Sequence, residues 1–220
     1  MIRSEKLRYS YTVWENETES KRTALADVDL DIGKGEFVVI LGRNGSGKST
    51  FAKHLNAILV PDSGSVLIDG KNTSERALVK AIRDLVGMTF QNPDNQIIGT
   101  SVEEDVAFGP EQRNVAPEEI RSRVESGLRS VGLLEKRKAS PFRLSGGQKQ
   151  RLAIAGTLAA DTDCIVLDEP TAMLDPSARR EVIAILHRLH SQGKTIILIT
   201  HHTDEALGAD RIVIMNGGQV

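Results

Sequence analysis

The chain has 220 residues, 40% hydrophobic, 26% charged and 4% aromatic, a composition that can bury a real core and excludes disordered, collagen-like and coiled-coil readings. Its 28 basic and 30 acidic residues leave a formal charge of −2, so no global positive field exists to hold a polyanion, and nucleic acid is disfavoured as the main partner. The single cysteine, Cys164, can form no intrachain disulfide, and no apolar run approaches the length of a membrane span or a signal-peptide core.

In chain order, the stretch TVWENETESKRT before Ala24 reads as a long polar loop to which no function is assigned. From Ala24 to Ile32, Val28, Leu30 and Ile32 alternate with Asp27, Asp29 and Asp31, the pattern of a half-buried strand. Phe37 to Leu41, Ser65 to Asp69, Cys164 to Asp168 and Thr195 to Thr200 are short β-branched runs without alternation, as expected for strands covered on both faces. Helical patterns separate several of these runs, which points to a parallel α/β sheet.

Between about Gln91 and Gln150 strand signals are few, and this stretch reads as a mainly helical lobe inserted in the α/β core. Within it Ala116 to Val131 predicts an amphipathic helix carrying Ile120, Val124 and Leu128 on one face, and its charges, like Lys136-Arg137-Lys138, read as a solvated surface. Asp175 followed by Pro176 predicts an N-cap and first helical position, with Val182, Leu186 and Leu189 at helical spacing until Gly193.

Directly after the Phe37 strand stands GRNGSGKST, a match to G-x-x-x-x-G-K-[ST] in the required order of strand, glycine loop and helix. Gly42, Asn44, Gly45, Ser46 and Gly47 would let successive backbone N–H groups converge on phosphate oxygens, and the helix starting near Lys48 adds its positive dipole end. On this reading Lys48 bridges the β and γ phosphates, Ser49 holds Mg²⁺ through its hydroxyl, and Thr50 reaches the α-phosphate. The Cys164 strand ends in Asp168 and Glu169, which delivers two carboxylates to the end of a sheet where ligands bind. Asp168 is expected to take Mg²⁺ through water, and Glu169 to orient or deprotonate the attacking water.

These residues resemble the ATP-binding cassette ATPases, in order and over nearly the whole chain. The most specific mark is LSGGQ, Leu144 to Gln148, followed by KQR. Ser145, Gly146 and Gly147 open a helix carrying Leu152, Ala155 and Leu158, a second amino terminus suited to an anion. The resemblance implies head-to-tail pairing of two cassettes, with Ser145 and Gly147 completing the partner's ATP site and Gly146 and Gln148 beside them. It further implies Gln91 as the glutamine-loop residue reaching Mg²⁺ and the attacking water, and His201 as the switch histidine on the γ-phosphate. Asp175 in AMLD resembles the loop that communicates across the dimer, alongside its N-cap reading. Tyr11 is the first candidate to stack on adenine, with Tyr9 as rival, and His202 stands where the family has an acidic residue, so its role stays open.

The fold implied is a single cassette domain over 1–220. Its P-loop α/β core comprises 1–90 and 151–220 with a mostly parallel sheet and an N-terminal antiparallel β subdomain, and its helical subdomain comprises about 91–150. Within the family, Phe90 to Gln112 and the TAMLDP turn are similar to the energy-coupling factor group, which includes the cobalt and nickel importers and the vitamin importers. That similarity implies an ATPase on the cytoplasmic face of the membrane, paired with a second cassette, identical or different. It docks on a transmembrane coupling subunit that joins a substrate-capture membrane subunit. Ile97, Ile98, Val102, Val106 and Phe108 are expected either to line the docking groove or to form the lobe's core. Members of this group continue past the point where this sequence stops, at Gly217-Gly218-Gln219-Val220, with a segment that helps pair subunits, so a shortened form with weaker nucleotide-free pairing is expected. The alternatives are an ATPase of another importer class or a soluble cassette that remodels nucleic acid or ribosomes. The latter is disfavoured because no sustained heptads separate Lys48 from Ser145.

Overall fold

Strand composition divides the sheets. In the computed structural model, which describes residues 1–15 and 18–220, the runs rich in Val, Ile and Leu form a five-stranded parallel sheet. Its strands are β3 (Phe37–Leu41), β6 (Val86–Thr89), β7 (Cys164–Asp168), β8 (Thr195–Thr200) and β9 (Arg211–Ile214), in the order β6-β7-β8-β3-β9. Every residue of the central strands β7 and β8 is buried, Cys164 included. The alternating, acid-rich segment instead builds an antiparallel sheet of β1 (Ile2–Glu15), β2 (Thr18–Ile32), β4 (Ser63–Ile68) and β5 (Lys71–Asn72), ordered β2-β1-β4-β5.

Successive residues of the parallel strands feed two cores. Val38, Ile40, Val166, Ile197 and Ile199 pack with Leu25, Val28 and Ile32 of the antiparallel sheet and with Phe51 of α1 (Lys48–Leu55). Phe37, Val39, Ile165, Leu167, Ile196 and Leu198 face the other way, against α3 (Val102–Gln112), α4 (Pro117–Ser130), α5 (Gly146–Ala159) and α6 (Pro176–Ser191). A short α2 (Val79–Leu85) precedes β6. This period-two division is what a layer buried on both faces requires. It brings the carboxyl ends of β3, β7 and β8 together beneath the antiparallel sheet.

Several local expectations need correction. Ser65 to Asp69 does not join the parallel sheet: β4 pairs antiparallel with β1, Ile2 opposite Ile68, and only alternate residues are buried. The outward residue between the buried Val66 and Ile68 is an apolar Leu67, so the run gave no sign of alternation. The polar stretch before Ala24 is not a loop, because β1 and β2 pair through Tyr11 with Arg22, Thr12 with Lys21, Val13 with Ser20 and Trp14 with Glu19. Asn16 and Glu17 of that stretch lie outside the described residues. Strand β6 was not anticipated, since four residues containing a glycine carry no readable pattern. Of the apolar residues considered for docking, Val102 and Val106 are wholly buried in the lobe's core, while Ile98 and Phe108 are exposed.

Candidate nucleotide site

The loop between β3 and α1 folds on itself around a lysine. Gly47, at the amino end of α1, has φ +102, and a Cβ there would lie 2.6 Å from the Ala24 carbonyl oxygen, so only glycine fits. No side chain caps α1 at Gly47, so its first-turn N–H groups are left for an anion. Lys48 is buried, and its Nζ donates to the carbonyls of Gly42 at 2.8 Å and Arg43 at 3.1 Å. The same ammonium lies 3.9 Å from Glu169 Oε1. A cation held this way needs only a small swing to exchange carbonyl partners for phosphate oxygens.

One residue along α1, the Ser49 hydroxyl donates to Asp168 Oδ1 at 2.8 Å, tying the helix start to the end of β7. Burial pushes the Asp168 carboxyl above the usual range. The Ser49 bond pulls it back, Glu169 pushes it up further, and Lys53 and Lys48 pull it down. A hydroxyl and a carboxylate side by side are hard oxygen donors, and Mg²⁺ is commonly bound by one or two carboxylates plus phosphate oxygens, so this pair fits that ion.

Glu169 turns out of β7 at φ +47, a left-handed conformation uncommon outside glycine, with its N–H bonded to Ile199 O of β8 at 2.9 Å. Two side chains from other elements meet its Oε2. Gln91 Nε2 donates at 3.4 Å, and His201 Nδ1 lies 3.4 Å away. The His202 ring packs on His201 with centroids 4.1 Å apart, and its N–H donates to Thr200 Oγ1. With Lys48 near Oε1, three separate segments thus converge on one carboxylate.

These groups open on a cleft of about 560 Å³ that runs from Gln91 and Glu169 past Gly45 and Lys48 to Tyr11. Tyr11 hydroxyl lies 3.3 Å from Thr50 Oγ1, and its ring meets Tyr9 edge-on. Tyr9 in turn packs against the buried His54, which leaves Tyr11 as the tyrosine on the cleft. Val13, Arg22 and Thr23 also line it and were missed from sequence. Their only signal is positional: Tyr11 and Arg22 are neighbours solely because β1 and β2 pair in that register.

The LSGGQ residues lie outside this cleft. Ser145 caps α5 by accepting from the Gln148 N–H at 3.3 Å, while Gln148 Oε1 accepts from the Ser145 N–H at 3.2 Å. Gly147 is pressed against α6, where a Cβ would come within 2.7 Å of Ala178. Asp175 caps α6 through the N–H groups of Ser177 and Ala178, which hold its carboxyl below the usual range. A single chain therefore presents one phosphate-loop cleft and, apart from it, the Ser145-capped start of α5.

A strand-loop-helix turn closed on a buried lysine, with a helix-start serine bonded to an aspartate at the end of a parallel strand, defines a P-loop nucleoside triphosphatase. The chain belongs to the ABC transporter family, whose pattern matches residues 25–172, and it is an ATP-binding ATPase. It is 53% identical over its whole length to the energy-coupling factor transporter ATP-binding protein EcfA1 of Clostridium novyi, covering 78% of that protein. Identity reaches 60% with the EcfA1 of Symbiobacterium thermophilum, over 90% of this chain and 70% of the relative. Among solved structures, cbiO1 of Clostridium perfringens, part of the ABC transporter complex cbiONQ, matches with a TM-score of 0.88 at 37% identity, over 100% of this chain and 86% of that one. The cassette MJ0796, in a dimeric post-hydrolysis state bound to ADP and Pi, matches with a TM-score of 0.88 at 32% identity, over 100% and 96%.

Proposed function

We propose that this chain is the ATP-hydrolysing subunit of an energy-coupling factor importer that takes up a vitamin or a transition-metal ion such as cobalt or nickel. The observation that carries the catalytic part is the convergence of Gln91 and His201 on Glu169 next to buried Lys48. Similarity along the whole of this chain to proteins named EcfA1, over 78% of their length, supports the transporter class. No helix among the described residues is long and apolar enough to cross a membrane. In this reading the chain sits on the cytoplasmic face, against a transmembrane coupling subunit that joins a substrate-capture subunit.

The residues act as follows. Lys48 leaves the Gly42 and Arg43 carbonyls for the β and γ phosphates, while Gly42, Asn44, Gly45, Ser46 and Gly47 shape the amide cradle and Tyr11 stacks on adenine. Thr50 reaches the α-phosphate. Ser49, Asp168 and Gln91 would hold Mg²⁺, which neutralises charge on the β and γ oxygens when bound. Glu169 orients the attacking water and accepts its proton, and His201 donates to the γ-phosphate. Ser145, Gly146, Gly147 and Gln148 of one cassette complete the site of a second one, whether a copy or a relative, with Asp175 on the loop between them. A helix start suited to an anion yet lying outside its own cleft supports that pairing.

A tagged Glu169→Gln variant, purified with ATP from detergent-solubilised membranes of its source cell, tests both levels. Turnover is expected to fall by about 100-fold or more while ATP is retained. Mass spectrometry is expected to recover a second cassette and a polytopic membrane protein. Near-normal hydrolysis refutes the base assignment, and a soluble or ribosomal partner without any membrane protein refutes the importer reading.

A further inference from the structure

Glu205 is a buried carboxylate that the chemistry above does not use. It lies in a 3₁₀ turn, Thr203–Ala206, that follows His201, and it is 2% exposed. Its Oε1 accepts from the hydroxyl of Thr171 at 2.6 Å, and Thr171 is itself fully buried two residues beyond Glu169. Arg179 Nε of α6 is 3.6 Å from the same oxygen. Among the described residues, Glu205 Oε2 accepts no hydrogen bond and Arg179 Nε donates none.

A carboxylate this deep, half satisfied, is a poor device for stability, since apolar side chains of the same shape would serve the core as well or better. Its position offers a different reason. The Thr171–Glu205 bond joins the segment leaving β7 with Glu169 to the segment leaving β8 with His201. Glu169 sits in a left-handed conformation, and such a residue persists only where its surroundings over-determine it. Two backbone bonds contribute, Glu169 N–H to Ile199 O and Ala172 N–H to Glu169 O. Neither touches the His201 segment beyond β8. Apart from the Glu169–His201 contact itself, the side-chain link between the segments after they leave the sheet, among the described residues, is Glu205.

We propose that Glu205 is a positioning residue for hydrolysis: through Thr171 it holds the Glu169 segment in register with the His201 segment, and through Arg179 it fixes both against the α6 end that carries Asp175. This rests on the assignment of Glu169 and His201 to the reaction. Glu205 does not line the cleft that the phosphate loop forms, so its loss is felt in turnover and not in ATP binding, which that loop governs.

ATPase kinetics separate the possibilities. Glu205→Ala is expected to lower kcat by about 10- to 100-fold, the cost of a small misplacement of reacting groups, with KM for ATP changed by less than about 3-fold. Glu205→Gln, which still accepts from Thr171, is expected to restore most of kcat. The paired substitution Thr171→Val with Glu205→Leu leaves neither partner of that hydrogen bond unsatisfied, and Arg179, whose side chain is 23% exposed, can turn to solvent, so the pair is expected to melt near the parent temperature yet stay slow. Parent-like kcat in that stably folded pair overturns the proposal, as does a Glu205→Ala defect confined to KM. Glu169→Gln is assayed alongside. If it hydrolyses normally, the underlying reading falls and this proposal with it; if it is inactive while the pair is fast, only the positioning role is lost.

Discussion

Replacing Gly47 with alanine probes the tightest turn of the phosphate loop, and Gly45→Ala supplies an internal reference. Both glycines have positive φ, +79 at Gly45 and +102 at Gly47, so each alanine meets an unfavourable backbone conformation. That strain is worth roughly 1–2 kcal/mol, offset by about 0.4–1 kcal/mol from the stiffer unfolded chain. Only the surroundings differ. A Cβ at Gly45 meets nothing within 4 Å, whereas at Gly47 it lies 2.6 Å from Ala24 O and 3.0 Å from Leu25 Cδ2. Restoring ordinary contact requires strand β2 and the loop to part by about 0.8 Å, and overpacking of this kind costs about 1–3 kcal/mol. The net losses are then about 1 kcal/mol for Gly45→Ala and about 3 kcal/mol for Gly47→Ala. At ~2–4 °C per kcal/mol for a chain of this size, the Tm drops are about 2–4 °C and 6–12 °C. Circular-dichroism melts without nucleotide give these values, and titration with a fluorescent ATP analogue reports whether the displaced amides weaken binding. If Gly47→Ala melts within about 2 °C of Gly45→Ala and binds ATP like the parent, the close approach of β2 to the loop is refuted.

Ser145→Ala removes the cap of α5 and is expected to cost about 1 kcal/mol, a Tm loss of ~2–4 °C. ATP affinity of the single chain should be unchanged while ATP-dependent pairing, followed by sedimentation, weakens; lower affinity in the single chain would count against the separation of this helix start from the cleft. His54 is buried under Tyr9, and burial lowers its pKa from 6.5, opposed by its bond to the Thr50 carbonyl. A depressed histidine is protonated first in the unfolded chain, so its contribution to stability is lost as pH falls through 6.5. Guanidinium titrations at pH values spanning that range should show a steeper loss in the parent than in His54→Gln, and equal slopes would show that His54 is not the group responsible.

The parallel strands were legible because side chains covered on both faces must be apolar without alternation, and β3, β7 and β8 follow that rule. Caps were legible too, since Asp175-Pro176 and the Ser145-Gly-Gly-Gln148 run carry their hydrogen-bonding partners within one turn. The phosphate loop, LSGGQ and the Asp168-Glu169 pair are likewise local patterns, and from them the ATPase class follows directly. Other features had no local signal. Whether Ser65 to Asp69 joined the parallel or the antiparallel sheet depended on β1, a segment more than fifty residues earlier in the chain. The cleft residues Val13 and Arg22 face the loop only through the pairing of β1 with β2.

What the sequence determined by itself was each piece of chemistry: a lysine behind glycines, carboxylates at a strand end, a serine-capped helix start. Their spacing along the chain encodes local backbone conformation, and that is settled within a few residues. Only the tertiary structure decided which of them meet. Gln91 and His201 approach Glu169, Ser49 reaches Asp168, and Thr171 bonds Glu205 because the order β6-β7-β8-β3-β9 sets their strand ends side by side. Sheet order is fixed by burial of both cores at once, a property of the whole chain that no local stretch contains.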